Sequence, residues 1–262
     1  MQLSMLYATH GKRCLDLINN LPDRDNNTEI IIIHQTSSND LVTQIKELLK
    51  TRHDVLYYQS DDIGVTKSRN LAISKASNDI LFFCDDDVTY QHGIQKNILT
   101  AYEEYSSASF LTFSYSEDKN EYKAKKFKNH KFKHTLFTIL SVGTIQISCK
   151  RHDVLENKIK FPEDMGAGAK YFLCDEPVFL SQFIKKNLTG YYLPLSIGYH
   201  PKESSGNIFN DKNAFTSRFL CFTRIFGKFN GRILYLIYLL KNIRNFNSIQ
   251  NFFISTSLIF RI

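Results

Sequence analysis

The first ninety positions alternate between two rhythms of apolar residues. Short apolar runs occupy residues 3–9, 29–33, 55–58 and 80–84, and the second is almost wholly isoleucine. Runs of that length and composition fit strands buried on both faces of a sheet. Between them, residues 12–21, 39–50 and 65–76 read as helices. The second has Leu41, Ile45, Leu48 and Leu49 at helical spacing, and Pro22 stops the first. Strand and helix in alternation predict an open α/β fold, a mostly parallel central sheet flanked by helices. Beyond residue 90 the pattern loosens into a helix over 94–105, strands over 109–115, 144–149 and 191–199, and a helix starting near Asp175. A basic stretch with interleaved Phe127 and Phe132 covers residues 123–134.

Composition adds bounds. With 262 residues, 43% hydrophobic and 23% charged, the chain has the make-up of a globular protein with one large domain. The five cysteines form no CxxC pair, which speaks against a zinc or disulfide framework and for a reducing compartment. The N-terminal MQLSMLYATHGKR reads as a first strand and not a signal peptide. No apolar run reaches the roughly 18 residues of a membrane span. Charge placement is more informative than its sum. From Asp211 onward there are eight Lys or Arg and one acid, so the net charge of +7 sits wholly in that segment. This divides the chain into a neutral body, 1–210, and a basic helical tail, 211–262, suited to an anionic surface.

The run Asp85-Asp86-Asp87 follows a buried strand. Packing does not call for three successive carboxylates, which repel one another. At the carboxyl end of a strand they project into the crevice where open α/β sheets bind ligands. Alternate residues point the same way, so Asp85 and Asp87 can share a divalent cation while Asp86 is a structural or nucleotide-side neighbour. An acidic surface turn is the other reading of the triplet alone.

Residues 63–76 read IGVTKSRNLAISKA and residues 78–87 read NDILFFCDDD. Together they resemble the family 2 glycosyltransferases of the GT-A fold, of the bacterial surface-polysaccharide type. There a glycine, a helix opening with Arg-Asn and a strand ending in Asp-x-Asp recur at this spacing. The matching positions are Gly64, Arg69, Asn70, Asp85 and Asp87, and the resemblance spans about residues 1–205. It implies a GT-A nucleotide-diphospho-sugar transferase fold, Mn2+ or Mg2+ on Asp85 and Asp87, and sugar transfer with inversion. It further implies a nucleotide-diphosphate sugar donor such as a UDP-sugar, a glycan or lipid-linked acceptor, and a place in cell-surface polysaccharide synthesis. Arg69 at the helix start suits a diphosphate, with a surface salt bridge as its other reading. Asp85 and Asp86 are expected beside the sugar donor.

The segment 166–180, GAGAKYFLCDEPVFL, is similar to the family's acceptor region, where a glycine loop precedes an acidic pair. Here the pair is Asp175-Glu176 in swapped order. Glu176 aligns with the catalytic base and Asp175 is the alternative; both also suit a helix N-terminus, with Asp175 as cap. His200 matches a late histidine that completes the metal site in many relatives, although a lone histidine is also an ordinary core or surface residue. Ser204, Ser205 and Gly206 are candidates for a phosphate-closing loop. The family's usual Asp after the second strand is absent; Gln35 stands there and is expected to meet the base. Thr9 and His10 are expected near the same nucleotide.

The tail offers the run 233–240 between Arg232 and Lys241, fit for a membrane interface or for packing on the domain or a second copy of the chain. The expected location is cytoplasmic, peripheral on the inner face of the membrane. The basic stretch 123–134 suits a lipid diphosphate or an acidic glycan, or is a solvated loop. His130 and His134 share helical spacing without further metal-site features. Two other functions compete. A sugar nucleotidyltransferase needs a glycine-rich basic signature after strand one, of which residues 9–13 are a faint echo. A nucleic-acid-binding module fits the basic tail but not the acidic triplet or the neutral body, so no nucleic-acid partner is expected.

Overall fold

The computed structural model describes residues 1–201 and 208–260. Ser204, Ser205 and Gly206 lie outside the described residues. A mixed sheet runs in the order β3 (Val55–Ser60), β2 (Thr28–Gln35), β1 (Leu3–His10), β4 (Ile80–Cys84), β8 (Ile147–Lys150), β6 (Phe110–Ser116), β9 (Gly190–Tyr199) and β5 (Thr89–Tyr90), with β7 (Phe132–Lys133) paired to β9. Its first half is β1 (Leu3–His10), β2 (Thr28–Gln35), β3 (Val55–Ser60) and β4 (Ile80–Cys84), all parallel. Helices α1 (Arg13–Asn19), α2 (Asn39–Leu48) and α3 (Val65–Lys75) connect them. Side-chain alternation explains why these strands need cover on both faces. Leu3, Met5 and Tyr7 of β1 join Ile30, Ile32, Ile80 and Phe82 against α1, α2 and α4 (Ile94–Glu104). Leu6 joins Ile31, Ile33, Leu81 and Phe83 on the other face, against α3 and α6 (Asp175–Lys185).

The second half of the mostly parallel sheet holds its antiparallel pairs. It holds β5 (Thr89–Tyr90), β6 (Phe110–Ser116), β7 (Phe132–Lys133), β8 (Ile147–Lys150) and β9 (Gly190–Tyr199). Here β8 is antiparallel to both β4 and β6, and β9 is parallel to β6 but antiparallel to β5 and β7. Apolar runs report burial on a sheet and carry no information about strand direction. The strand expected over 144–149 begins as a 3-10 turn, Thr144–Gln146, and only then enters β8. Helix α5 (Arg151–Glu156) follows it.

Chain order reverses between β1 and β4. Strands 1, 2 and 3 step outward on one side and β4 starts the other. The crevice at their carboxyl ends is where such sheets bind ligands.

The basic segment folds into α7 (Lys212–Phe226), α8 (Lys228–Lys241) and α9 (Ile249–Ser257). It packs on the sheet-bearing body through α7: Cys221 and Ile225 bury against Met165 and Val178. Arg224 clasps Asp164 with two hydrogen bonds of 2.8 and 2.5 Å. Among the described residues no helix is long and apolar enough to cross a membrane.

Candidate active site

The loops after β1, β2, β3 and β4 surround a cavity of about 750 Å3 lined by Thr9, His10, Arg13, Gln35, Asp61, Asp62, Arg69 and the triplet. The chain turns at Asp86 and Asp87 directly after β4, and the three carboxylates part there. Asp86 turns into the wall, where it accepts from Thr9 Oγ1 at 2.6 Å and from Arg13, leaving its side chain 6% exposed. Asp87 also meets Arg13, at 3.3 Å. Asp85 and Asp87 keep 32% and 41% of their side chains exposed. Burial raises the Asp85 carboxyl, and Asp87, Glu176 and Asp86 push it further up against the pull of Arg69.

Arg69 joins the two halves of the site. Its guanidinium is nearly buried, at 7% exposure. One nitrogen donates to Asp175 at 2.7 Å and lies 3.9 Å from Glu176; the other lies 3.5 Å from Asp85. Within the protein Arg69 is a countercharge to three carboxylates, and it also lines the crevice where a diphosphate ligand was expected. The glycine loop 166–168 closes onto the start of α3. Val65 N donates to Ala167 O at 2.9 Å and Thr66 Oγ1 to Met165 O at 2.9 Å. At Gly166, φ is +90° and a Cβ would stand 2.8 Å from Thr66 Cγ2, so only glycine fits.

The acidic pair opens α6, but its cap is Cys174 in the left-handed region, φ 67°, not Asp175. This turn sends the two acids different ways. Asp175 is buried against Arg69; burial raises its carboxyl, helped by Glu176 and opposed by Arg69. Glu176 accepts from Thr144 Oγ1 at 2.5 Å and faces open space on two sides. One side is a cavity of about 320 Å3 that it shares with Asp85, Arg69 and His200. The other is a cavity of about 710 Å3 walled by Tyr115, Phe127, Tyr192 and basic side chains. The three cavities share lining residues in series, from the β1–β4 crevice past Glu176 to the basic wall.

His200 leaves β9 with its backbone N–H on Ser116 O, 2.9 Å, and its ring edge-on to Tyr115. Its Nε2 is 3.5 Å from Asp87 Oδ1. Asp85 lines the crevice with Asp87 and the smaller cavity with His200, and carboxylates with an imidazole are donors that suit Mn2+. Among the described residues the compact acid–histidine cluster is a different one, His152, Asp153 and Glu156 on α5, where the exposed His152 ring pairs with both acids.

Other expected residues lie elsewhere. Gln35 Nε2 donates to Gly64 O at 3.0 Å and Ser68 Oγ at 2.7 Å, so its amide braces α3 instead of being free for a base. Asn70 faces away from the cleft and exchanges hydrogen bonds with the Phe161 backbone and Glu163. Gly64 caps α3 at φ 124°. Thr9 is engaged by Asp86, while His10 is exposed on the cavity rim. His134 bonds Thr112 and Thr138 through its two ring nitrogens and makes no metal pair with His130. The sequence reading passed over Arg13, Asp61, Asp62 and Thr144. Asp61-Asp62 was visible as an acidic pair after an apolar run, the same signal as the triplet.

Among solved structures, the chain is similar to TarS of S. aureus, with a TM-score of 0.68 at 17% identity over 94% of this chain. It spans 44% of that longer protein. It matches TarS 1–349 in complex with UDP-GlcNAc with a TM-score of 0.64 at 17% identity, covering 93% of this chain and 73% of that one. It also matches the mannosyltransferase PcManGT of Pyrobaculum calidifontis, in complex with GDP-Man and Mn2+, with a TM-score of 0.60 at 11% identity, covering 99% and 79%. At such identities these likenesses establish the GT-A fold. No curated protein matches the chain in sequence. Residues 12–155, more than half of the chain, match the family model for glycosyl transferase family 2, and the chain belongs to that family and is a glycosyltransferase.

Proposed function

We propose that the protein transfers a sugar, with inversion and with the help of a divalent metal, from a UDP-sugar to a glycan or lipid-linked acceptor in cell-surface polysaccharide synthesis. The observation that carries this reading is the series of three cavities with Asp85 and Asp87 on one side of the reaction centre and Glu176 on the other. The nucleotide occupies the β1–β4 crevice, with His10, Asp61 and Asp62 toward its base and ribose. TarS 1–349 binds UDP-GlcNAc and PcManGT binds GDP-Man with Mn2+, which supports a nucleotide-sugar and a metal here.

Asp85, Asp87 and His200 would hold the metal, which when bound supplies positive charge to the departing diphosphate. Glu176 takes the proton of the acceptor hydroxyl as its oxygen attacks the anomeric carbon and the bond to the diphosphate breaks. Thr144 holds the Glu176 carboxylate in place. Asp175 keeps Arg69 at the junction and does not face the acceptor side.

Residues 211–262 are proposed as a basic appendage that seats the enzyme on the cytoplasmic face of an anionic membrane. Phe229, Ile233, Ile237 and Leu240 form an exposed stripe along α8, flanked by Lys228 and Lys241. An apolar stripe with bases and no acids is the pattern of an interfacial helix.

The test is a panel of labelled nucleotide-sugars. Metal-dependent release of sugar from one of them, lost with chelator and in Asp87→Ala of unchanged circular dichroism, is expected. Full activity of the chelated enzyme or of that variant rejects the metal role.

A further inference from the structure

The 710 Å3 cavity beyond Glu176 is lined by two kinds of group. One is aromatic. Tyr115 stands edge-on to Phe127 at 4.9 Å, Phe127 lies parallel to Tyr192 at 6.5 Å, and Phe132 stacks on Tyr192 at 4.9 Å. Such a wall accepts the apolar face of a sugar ring or a prenyl chain. The other is cationic, with Lys126 and Lys128 from the connection between β6 and β7 and Arg218 from α7. Glu176 is the single carboxylate among the described residues lining the cavity.

The cations are held in place. Lys126 Nζ bonds the Tyr115 hydroxyl at 2.7 Å and Glu117 at 2.5 Å and lies 4.6 Å over the Tyr115 ring. Tyr192 donates to the Lys128 carbonyl at 2.9 Å, which fixes the backbone from which the exposed Lys128 side chain extends. Arg218 is 5% exposed, donates to Ile208 O at 2.7 Å and lies 4.7 Å over the Phe209 ring. A neutral acceptor needs none of this charge, and a cavity with one acid at its inner end and bases along its length attracts an anion.

We propose that this cavity is the acceptor subsite and takes an anionic glycan, a sugar bearing a phosphate ester or phosphodiester. Its ring lies on Tyr115, Phe127 and Tyr192, and its phosphate on Lys126, Lys128 and Arg218. The inference rests on the transferase reading for the word acceptor; the anion recognition does not need turnover. A prenyl-diphosphate-linked sugar and a soluble phosphodiester-linked glycan share this chemistry.

Calorimetry on the full chain with UDP and Mn2+ filling the crevice tests it with glucose, glucose 1-phosphate and farnesyl-diphosphoglucose as probes. The phosphorylated probes are expected to bind about tenfold or more tightly than glucose, the effect of one charged hydrogen bond. Lys128→Gln is expected to remove most of that ratio, and Lys46→Gln on α2 to leave it unchanged. Farnesyl-diphosphoglucose binding a further tenfold above glucose 1-phosphate assigns a lipid carrier; equal binding assigns a soluble phosphodiester glycan. Equal binding of glucose and its phosphate, or a ratio indifferent to Lys128→Gln, overturns the proposal. Transfer assays with the same probes are read separately: phosphate-selective binding without transfer of any labelled sugar keeps the anion site and rejects its assignment as the acceptor subsite.

Discussion

Replacing Arg69 by Met removes the one cation set among Asp85, Asp175 and Glu176 and keeps the length of the side chain. At an effective dielectric constant of about 20, unit charges 2.7 Å apart attract by about 6 kcal/mol before desolvation. Desolvation of both ions cancels much of that. What remains on removing one partner is the penalty of an uncompensated buried carboxylate, about 3–5 kcal/mol. Asp175, at 4% exposure, bears most of it. Arg69→Met should therefore lower unfolding free energy by about 3–5 kcal/mol at pH 7.5. The double variant Arg69→Met/Asp175→Asn should recover at least half of the loss, because the unpaired charge is gone. The pH dependence has a definite sign. Asp175 is raised in the folded protein with Arg69 present, and rises further without it. The unfolded chain then releases its proton first as pH increases. Wild type and variant both lose stability from the ordinary carboxylate range up to about 7, where Asp175 stands with Arg69 present, so the variant's deficit should grow as pH rises above about 7 and stay level below it. The chain has no Trp, so urea unfolding is best followed by far-ultraviolet circular dichroism. A single-variant loss below about 1 kcal/mol, or a double variant as unstable as the sum of the singles, refutes the countercharge role.

Glu176→Gln should lower kcat by about 10²–10⁴-fold and leave nucleotide-sugar affinity intact, the range of a lost general base. Such a fall in Asp175→Asn, with Glu176→Gln active, reassigns the base. His134, pushed down to about 4 by burial, is protonated in the unfolded chain before the folded one. Stability should thus fall as pH drops from 6.5 toward 4, by on the order of 3 kcal/mol. Urea midpoints for wild type and His134→Gln should diverge over that window, and parallel slopes reject the assignment. Phe229→Ser/Ile233→Ser/Ile237→Ser should abolish flotation with phosphatidylglycerol vesicles, and unchanged flotation of the triple variant rejects α8 as the membrane face.

The sheet's parallel half, its three connecting helices and the position of the triplet were legible because they follow from local periodicity. Ile30–Ile33 cannot be covered on fewer than two sides, and a strand that ends in three acids must deliver them at its tip. Alternation along an extended chain set Asp86 apart from Asp85 and Asp87, whereas in the structure the chain turns at Asp86 and Asp87 and Asp86 is held by Thr9 and Arg13. Sheet direction beyond β4 was not legible, since an apolar run in an antiparallel strand looks like one in a parallel strand.

The partners of the site residues came only with the tertiary structure. Arg69 reads as a diphosphate ligand beside its sequence neighbours, yet its main bond is to Asp175, 106 positions away. Arg13 reaches Asp86 across 73 positions, and Thr144 reaches Glu176 across 32. Gln35 and Asn70 carry the same polar groups whether they brace α3 or contact a ligand, and composition does not distinguish the two uses. Asp175 and Glu176 are adjacent in sequence, and after the left-handed turn at Cys174 one is buried while the other is half-buried and lines two cavities. Local pattern determined where the charged groups stand on their elements. Long-range packing decided which of them are neutralised by one another and which face the cavities, because a charge finds its partner through space and not along the chain.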